Sequence, residues 1–179
     1  ADIIYEYGEE RFARTIARDI VNARTAAKIE TTAALADIVR RAVHRRAGGK
    51  RDKIDPATRT SQALRIHVND ELGEITRGLA AAERILRPGG RLVVVAFHSL
   101  EDRSVKTFFA SRCGTQARPS RHEPSLSSRG TSREAAPTFT LLRRGTLKPG
   151  AAEIDSNPRA RSARLRAAYR TDAPLEFAA

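Results

Sequence analysis

The run RPGGRLVVVAFHSLEDR (87–103) ends in a close set of polar and aromatic side chains: Phe97, His98, Ser99, Glu101 and Asp102. Its Val-rich centre predicts a strand and its Pro-Gly-Gly a turn, which puts these residues at the strand's carboxyl end. Ligands of doubly wound α/β sheets bind outside that end, so the corner is a candidate active site. A second reading needs no ligand. Ser99 caps the following helix, with Asp102 three residues on approximating a capping box, His98 bonds a backbone carbonyl, and both acids favour the helix N-terminus. Each such contact is worth about 0.5–2 kcal/mol or less. Residue types leave both readings open.

The elements that must position this corner follow from patterning. Asp55–Pro56 reads as an N-cap with proline at the first helical position. The helix begun there carries Ala63, Leu64, Val68 and Leu72, re-caps at Asn69 or Asp70, and continues through Leu79 and Leu86 to Gly89–Gly90. Arg91 to Phe97 is a continuous β-branched run, the pattern of a strand buried on both faces of a mainly parallel sheet. A helix follows through Val105, Phe108 and Phe109. Residues 112–137 are rich in Ser, Arg and Pro and read as a mobile basic loop. Strands are expected at 138–142 and 163–167, the last near a sheet edge. Upstream, Phe12, Ile16 and Ile20 recur every four residues within a helix over 7–21. A second helix starts at Thr32, as N-cap, and stops at Gly48–Gly49, before a basic connector at 50–54.

With 33 Lys and Arg against 21 Asp and Glu, the 179-residue chain carries a formal charge of +12. That excess favours a polyanion, nucleic acid first, through phosphate contacts and counterion release. Free use of arginine on solvated helix faces is the alternative. Aromatic residues are 5% and Trp is absent, which disfavours a broad base-stacking surface. Cys113 is the single cysteine, so an intramolecular disulfide is excluded and a zinc site disfavoured; no metal is expected. No apolar run approaches about 18 residues and no signal-peptide pattern opens the chain, so a cytoplasmic protein without a membrane partner is expected.

Three blocks, DPATRTSQALRIHVNDEL (55–72), RPGGRLVVVAFHSLEDR (87–103) and NPRARSARLR (157–166), closely resemble the MraW/RsmH family in order and spacing. YGEERFARTIARDIV (7–21) resembles that family's inserted helices. The resemblance departs at Ser61, where the family has Phe. It implies the C-terminal half of a class I, Rossmann-like α/β methyltransferase sheet with a helical insertion: residues 1–54 as the insertion, for substrate recognition, and 55–179 as core. The implied reaction is S-adenosylmethionine-dependent methylation of a cytidine N4 in small-subunit rRNA.

The family's glycine-rich donor loop and catalytic segment precede the insertion and have no counterpart here. No G-x-G-x-x-G-like run occurs, and the pairs Gly48–Gly49 and Gly89–Gly90 fall at helix ends. The expectation is therefore an N-terminal donor-binding half that is absent, a fragment inactive alone that does not bind S-adenosylmethionine, and no assignable catalytic residue. A non-catalytic RNA-binding remnant is the competing reading. Arg59, Arg65, Arg159 and Arg161 are candidates for rRNA phosphates, since guanidinium forks match phosphate oxygens, with local bonding to carbonyls or acids as the alternative. Thr60 belongs to the same motif as Arg59. Gln62 either bonds a base edge or caps a packed helix. Asn157–Pro158 reads as a turn placing the last strand.

In the family the strands run 3-2-1-4-5-7-6, and this chain would hold the last three, backed by helices at 57–86 and 100–111. The run 92–97 would then lack its fourth-strand neighbour. Such an edge pairs with another chain, here a second copy, or leaves the fragment marginally stable.

Overall fold

Asp55 caps the fourth helix as its sequence predicts. Its Oδ1 accepts the Ala57 N–H at 2.9 Å, and Pro56 occupies the first helical position. This helix belongs to the first of two compact units, Ala1–Glu71 and Leu72–Ala179, in a computed structural model that describes residues 1–47, 55–114 and 136–175. The first unit holds α1 (Asp2–Gly8), α2 (Ala13–Ala26), α3 (Thr32–Ala47) and α4 (Pro56–Asn69). Its core joins Ile4, Ala13 and Ile16 to Val39, Ala42 and Val43, with Phe12, Ala17 and Ile20 packed against it. The apolar stripe of the sequence is therefore the buried face of α2.

The helix expected over 7–21 is broken in two. Glu9 takes a left-handed φ of 49°, and buried Glu10 turns its carboxylate back to accept the Phe12 N–H at 3.0 Å. A local polar bond thus interrupts a run whose periodicity is continuous. At the start of α3, Thr31 rather than Thr32 is the cap, its Oγ1 accepting the Ala34 N–H at 3.1 Å. The Gly48–Gly49 stop and the 50–54 connector lie outside the described residues. Because α4 packs on α1 and α3, the division between compact units falls at Glu71 and Leu72. The break between α4 and α5 is at Asp70, which has a φ of 50°.

The second unit comprises α5 (Glu71–Ile85, from Leu72 on), β1 (Arg91–Ala96), α6 (Ser99–Arg112), β2 (Phe139–Leu141), α7 (Ala151–Ser156), a 3-10 turn (Pro158–Ser162) and β3 (Arg164–Arg170). Its sheet has the order β1-β3-β2, and both pairings are antiparallel. The protein is thus α/β, mostly helical with a small three-stranded sheet. Three sequence expectations are corrected here. β3 is the central strand and not an edge, because Arg91–Ala96 pairs along one side of it and Phe139–Leu141 along the other. The sheet is antiparallel among the described residues. β1 is not buried on both faces: its exposure alternates, with Val93 52% and Val95 48% exposed.

The covered face packs Leu92 and Val94 with Phe139, Ala168, Leu79, Val105 and Phe109. Within the unit, α5 and α6 supply that layer, so of the expected backing at 57–86 only the α5 part lies here. Phe108, Phe109 and Phe139 meet edge to face with centroids 5.7 to 5.9 Å apart. The loop expected over 112–137 falls mostly outside the described residues; α6 itself runs to Arg112.

Candidate functional site

Residues 97–102 sit where the sequence puts them, between the end of β1 and the start of α6, but their bonding differs from expectation. His98, not Ser99, is the N-cap of α6. Its Nδ1 accepts the Glu101 N–H at 3.3 Å, and Glu101 Oε2 accepts the backbone N–H groups of Phe97 at 2.7 Å and His98 at 3.2 Å. This is a reciprocal capping box in which His and Glu take the roles assigned to Ser99 and Asp102. A preceding residue with extended backbone suits the cap, and His98 has φ −137° and ψ 167°. His98 Nε2 is 3.2 Å from Glu101 Oε1 but off the hydrogen-bonding direction, which leaves a buried nitrogen without a satisfying acceptor among the described residues.

Asp102 points the other way, into the sheet. Arg166 grips it with Nε to Oδ1 at 2.7 Å and Nη2 to Oδ2 at 3.1 Å, and Arg164 adds a contact of 3.2 Å. Those donors, Arg166 first, hold the Asp102 carboxyl below the usual carboxylate range despite its burial. Neither arginine was singled out from sequence; their two-residue spacing on a strand, which puts both on one face, was the available signal.

Phe97 is 54% exposed at this corner. Strand register brings a second group to the same end of the sheet: Ala96 pairs with Arg164, which one residue, Ala163, separates from the Pro158–Ser162 turn. Arg159 and Arg161 of that turn are exposed and make no ion pair with any described residue. The turn that carries Arg159 and Arg161 thus enters β3 at the carboxyl end of β1, where exposed Phe97 follows. Asn157 serves as the turn residue before β3.

On α4 the candidates divide. Thr60 is completely buried, its hydroxyl lacking a hydrogen-bond partner among the described residues, so it is part of the first unit's interior. Arg59 pairs at 3.4 Å with Glu10, itself 1% exposed. Arg65 forks onto Glu71 at 2.7 and 3.1 Å. Gln62 and Arg65 do share a groove between α3 and α4 with Arg40, whose guanidinium is tied to Asp55 at 2.8 Å and Asp37 at 3.0 Å. This pairing, with the Ala57 N–H, holds the Asp55 carboxyl low. Local acids thus already take up the arginines that face this groove.

The Pro-Gly-Gly turn is committed to the backbone. Gly89 N–H donates to Arg170 O at 2.8 Å, Gly90 N–H to Arg87 O at 2.9 Å, and Arg170 N–H returns a bond to Gly90 O at 2.8 Å. Gly89 supplies the left-handed φ of 78° that the turn requires. Among the described residues, no helix is long and apolar enough to cross a membrane.

The profile of the MraW methylase family matches residues 1–171. A Methylorubrum extorquens (strain PA1) protein named ribosomal RNA small subunit methyltransferase H is 58% identical over 174 residues, covering 97% of this chain and 47% of the relative. Proteins of the same name from Paramagnetospirillum magneticum and Rhodopseudomonas palustris (strain TIE-1) are 57% and 54% identical. These alignments cover 97% and 99% of this chain, and 52% and 50% of the respective relatives. The chain thus spans about half the length of the relatives it matches. The match from helical unit to sheet places the chain in the MraW methylase family.

Proposed function

We propose that this chain is part of an S-adenosylmethionine-dependent methyltransferase that modifies a cytidine N4 in small-subunit rRNA in the cytoplasm. The observation that carries the reading is identity of 54% to 58%, over nearly the whole chain, to proteins named as small-subunit rRNA methyltransferases. The strand order β1-β3-β2 agrees with the last three strands expected of a class I sheet, in the order 5-7-6.

This chain alone is proposed to be inactive. A methyl donor presents a carboxylate and a ribose, which call for unpaired backbone N–H groups and an acidic partner. The only close glycine pair described has its N–H groups bonded to Arg170 and Arg87 carbonyls. The described residues therefore do not fit the donor. Their contribution is to the acceptor: Phe97, Arg159 and Arg161 at the carboxyl end of β1 meet the RNA, and the capping box holds the corner rigid. Non-catalytic RNA binding by this part is the second reading, favoured by the same arginines.

The test pairs two measurements. Calorimetry of the 179-residue chain with S-adenosylmethionine should show no binding tighter than about 10 μM, about −7 kcal/mol. A chain extended to the length of the relatives should place donor label on cytidine N4. Label on another atom would overturn the reaction assigned. RNA affinity should fall with salt, and Arg161→Ala should lower the slope of log K against log salt by about 0.7–0.9. The open edge of β1 is proposed to pair with a second copy when this chain is alone.

A further inference from the structure

We infer that a cleft in the first unit, between α1 and α2, binds single-stranded RNA, with Tyr5 as its stacking platform. The proposal rests on RNA being the substrate, as read above, and assigns residues outside the resembling blocks used for phosphate contacts. The cleft is lined by Tyr5 and Asp2 of α1, by Arg11, Phe12 and Arg14 around the start of α2, and by Arg46 near the end of α3.

Charge state separates this cleft from the α3–α4 groove. There Arg40 and Arg65 are bound to carboxylates, and a phosphate would have to displace them. Arg11, Arg14 and Arg46 are exposed and form no ion pair or hydrogen bond with any described residue. Arg14 stands in the first turn of α2, and Arg11 lies in the turn just before its N-cap, Phe12. Asp2 is the one carboxylate in the lining, so positive charge predominates.

The aromatic groups supply what charge alone lacks. Tyr5 is 68% exposed, an unusual setting for a tyrosine ring. Arg11 lies over the Phe12 ring at 4.6 Å, so the cleft already holds one cation–aromatic pair. A solvent-open ring beside exposed Arg14 and Arg46, with Arg11 stacked on Phe12, matches an unpaired nucleotide, whose base stacks while its phosphates meet the arginines. A duplex keeps its bases stacked inside and gains nothing from Tyr5.

The test is fluorescence polarisation of the full 179-residue chain with a fluorescein-labelled, mixed-sequence single-stranded oligoribonucleotide, titrated with potassium chloride. Tyr5→Ala should weaken binding about five- to hundredfold, whereas Tyr5→Phe should stay within about twofold. Together, Arg11→Gln, Arg14→Gln and Arg46→Gln should lower the salt slope by about 2, at about 0.7 per phosphate. If the triple variant does not fold by circular dichroism, Arg14→Gln and Arg46→Gln singly should each lower it by about 0.7. Unchanged binding by Tyr5→Ala, or equal affinity for a blunt duplex, overturns the proposal. Loss of binding confined to Arg159→Gln with Arg161→Gln overturns the cleft while leaving the RNA reading intact. No RNA binding by the unaltered chain removes both.

Discussion

Arg166 and Asp102 meet as a two-pronged ion pair between β3 and α6, with contacts of 2.7 and 3.1 Å. The side chains are 15% and 9% exposed, so the pair is shielded from water. A carboxylate that the sequence offers as an active-site group is thereby spent on holding a helix to the central strand.

Asp102→Asn should destabilise the second unit by about 3 kcal/mol, because it leaves a largely buried guanidinium without its counter-charge. The pH dependence has a definite sign. Arg166, and then Arg164, lower the folded-state value of Asp102, so the stabilisation is complete above the unfolded value near pH 4 and fades as pH falls through the folded one. Urea unfolding between pH 2 and 7 should show a smaller loss at low pH in Asp102→Asn than in the parent. Equal acid losses would place the sensitivity elsewhere.

Gly8 should resist enlargement. A Cβ there would sit 3.0 Å from the Arg59 carbonyl oxygen and 3.4 Å from the Ala63 Cβ, where α1 meets α4. Gly8→Val should cost about 1–3 kcal/mol by forcing those helices apart. Gly8→Ala should cost less, since its better helix propensity of about 0.5–1 kcal/mol offsets the crowding. Thermal melting of both variants checks the order.

The outer side of β1 has no partner strand among the described residues, and Val93, Val95 and Phe97 are exposed beside it. Sedimentation of the 179-residue chain should therefore show concentration-dependent dimers. Val95→Lys should shift them to monomer, because a charged residue on a free edge blocks strand addition. A parent chain that sediments as a monomer, with slowly exchanging Val93 and Val95 amides, would mean that the edge is covered.

Local signals carried the helices well. Asp55–Pro56 predicted a cap that the geometry reproduces, and the spacing of Phe12, Ile16 and Ile20 predicted the buried face of α2. What periodicity could not show were single-residue events. Glu9 takes a left-handed conformation and ends a helix that apolar spacing would continue, whereas the re-cap expected at Asn69 or Asp70 falls at Asp70. The capping box was misassigned by one position because His accepts hydrogen bonds like the preferred cap residues but is not among them. Patterning alone could not name strand neighbours, because a Val-rich run is compatible with several sheets; the order 5-7-6 came from the family resemblance, and β1-β3-β2 agrees with it. Arg159 and Arg161 were singled out by motif alone; the register of Ala96 with Arg164 brings their turn to the carboxyl end of β1.

The central strand of the sheet comes after both of its neighbours in sequence. A ribosome therefore delivers β1 and β2 before the strand that joins them, and Arg91 waits for Tyr169. At about 5–20 residues per second, that interval is on the order of ten seconds. The four helices of the first unit leave earlier and rely on contacts closer in sequence, so their folding need not wait. A nascent chain thus carries finished helices and an unfinished sheet at the same time. During that interval Val93 and Val95 are most open to chaperones or to other growing chains.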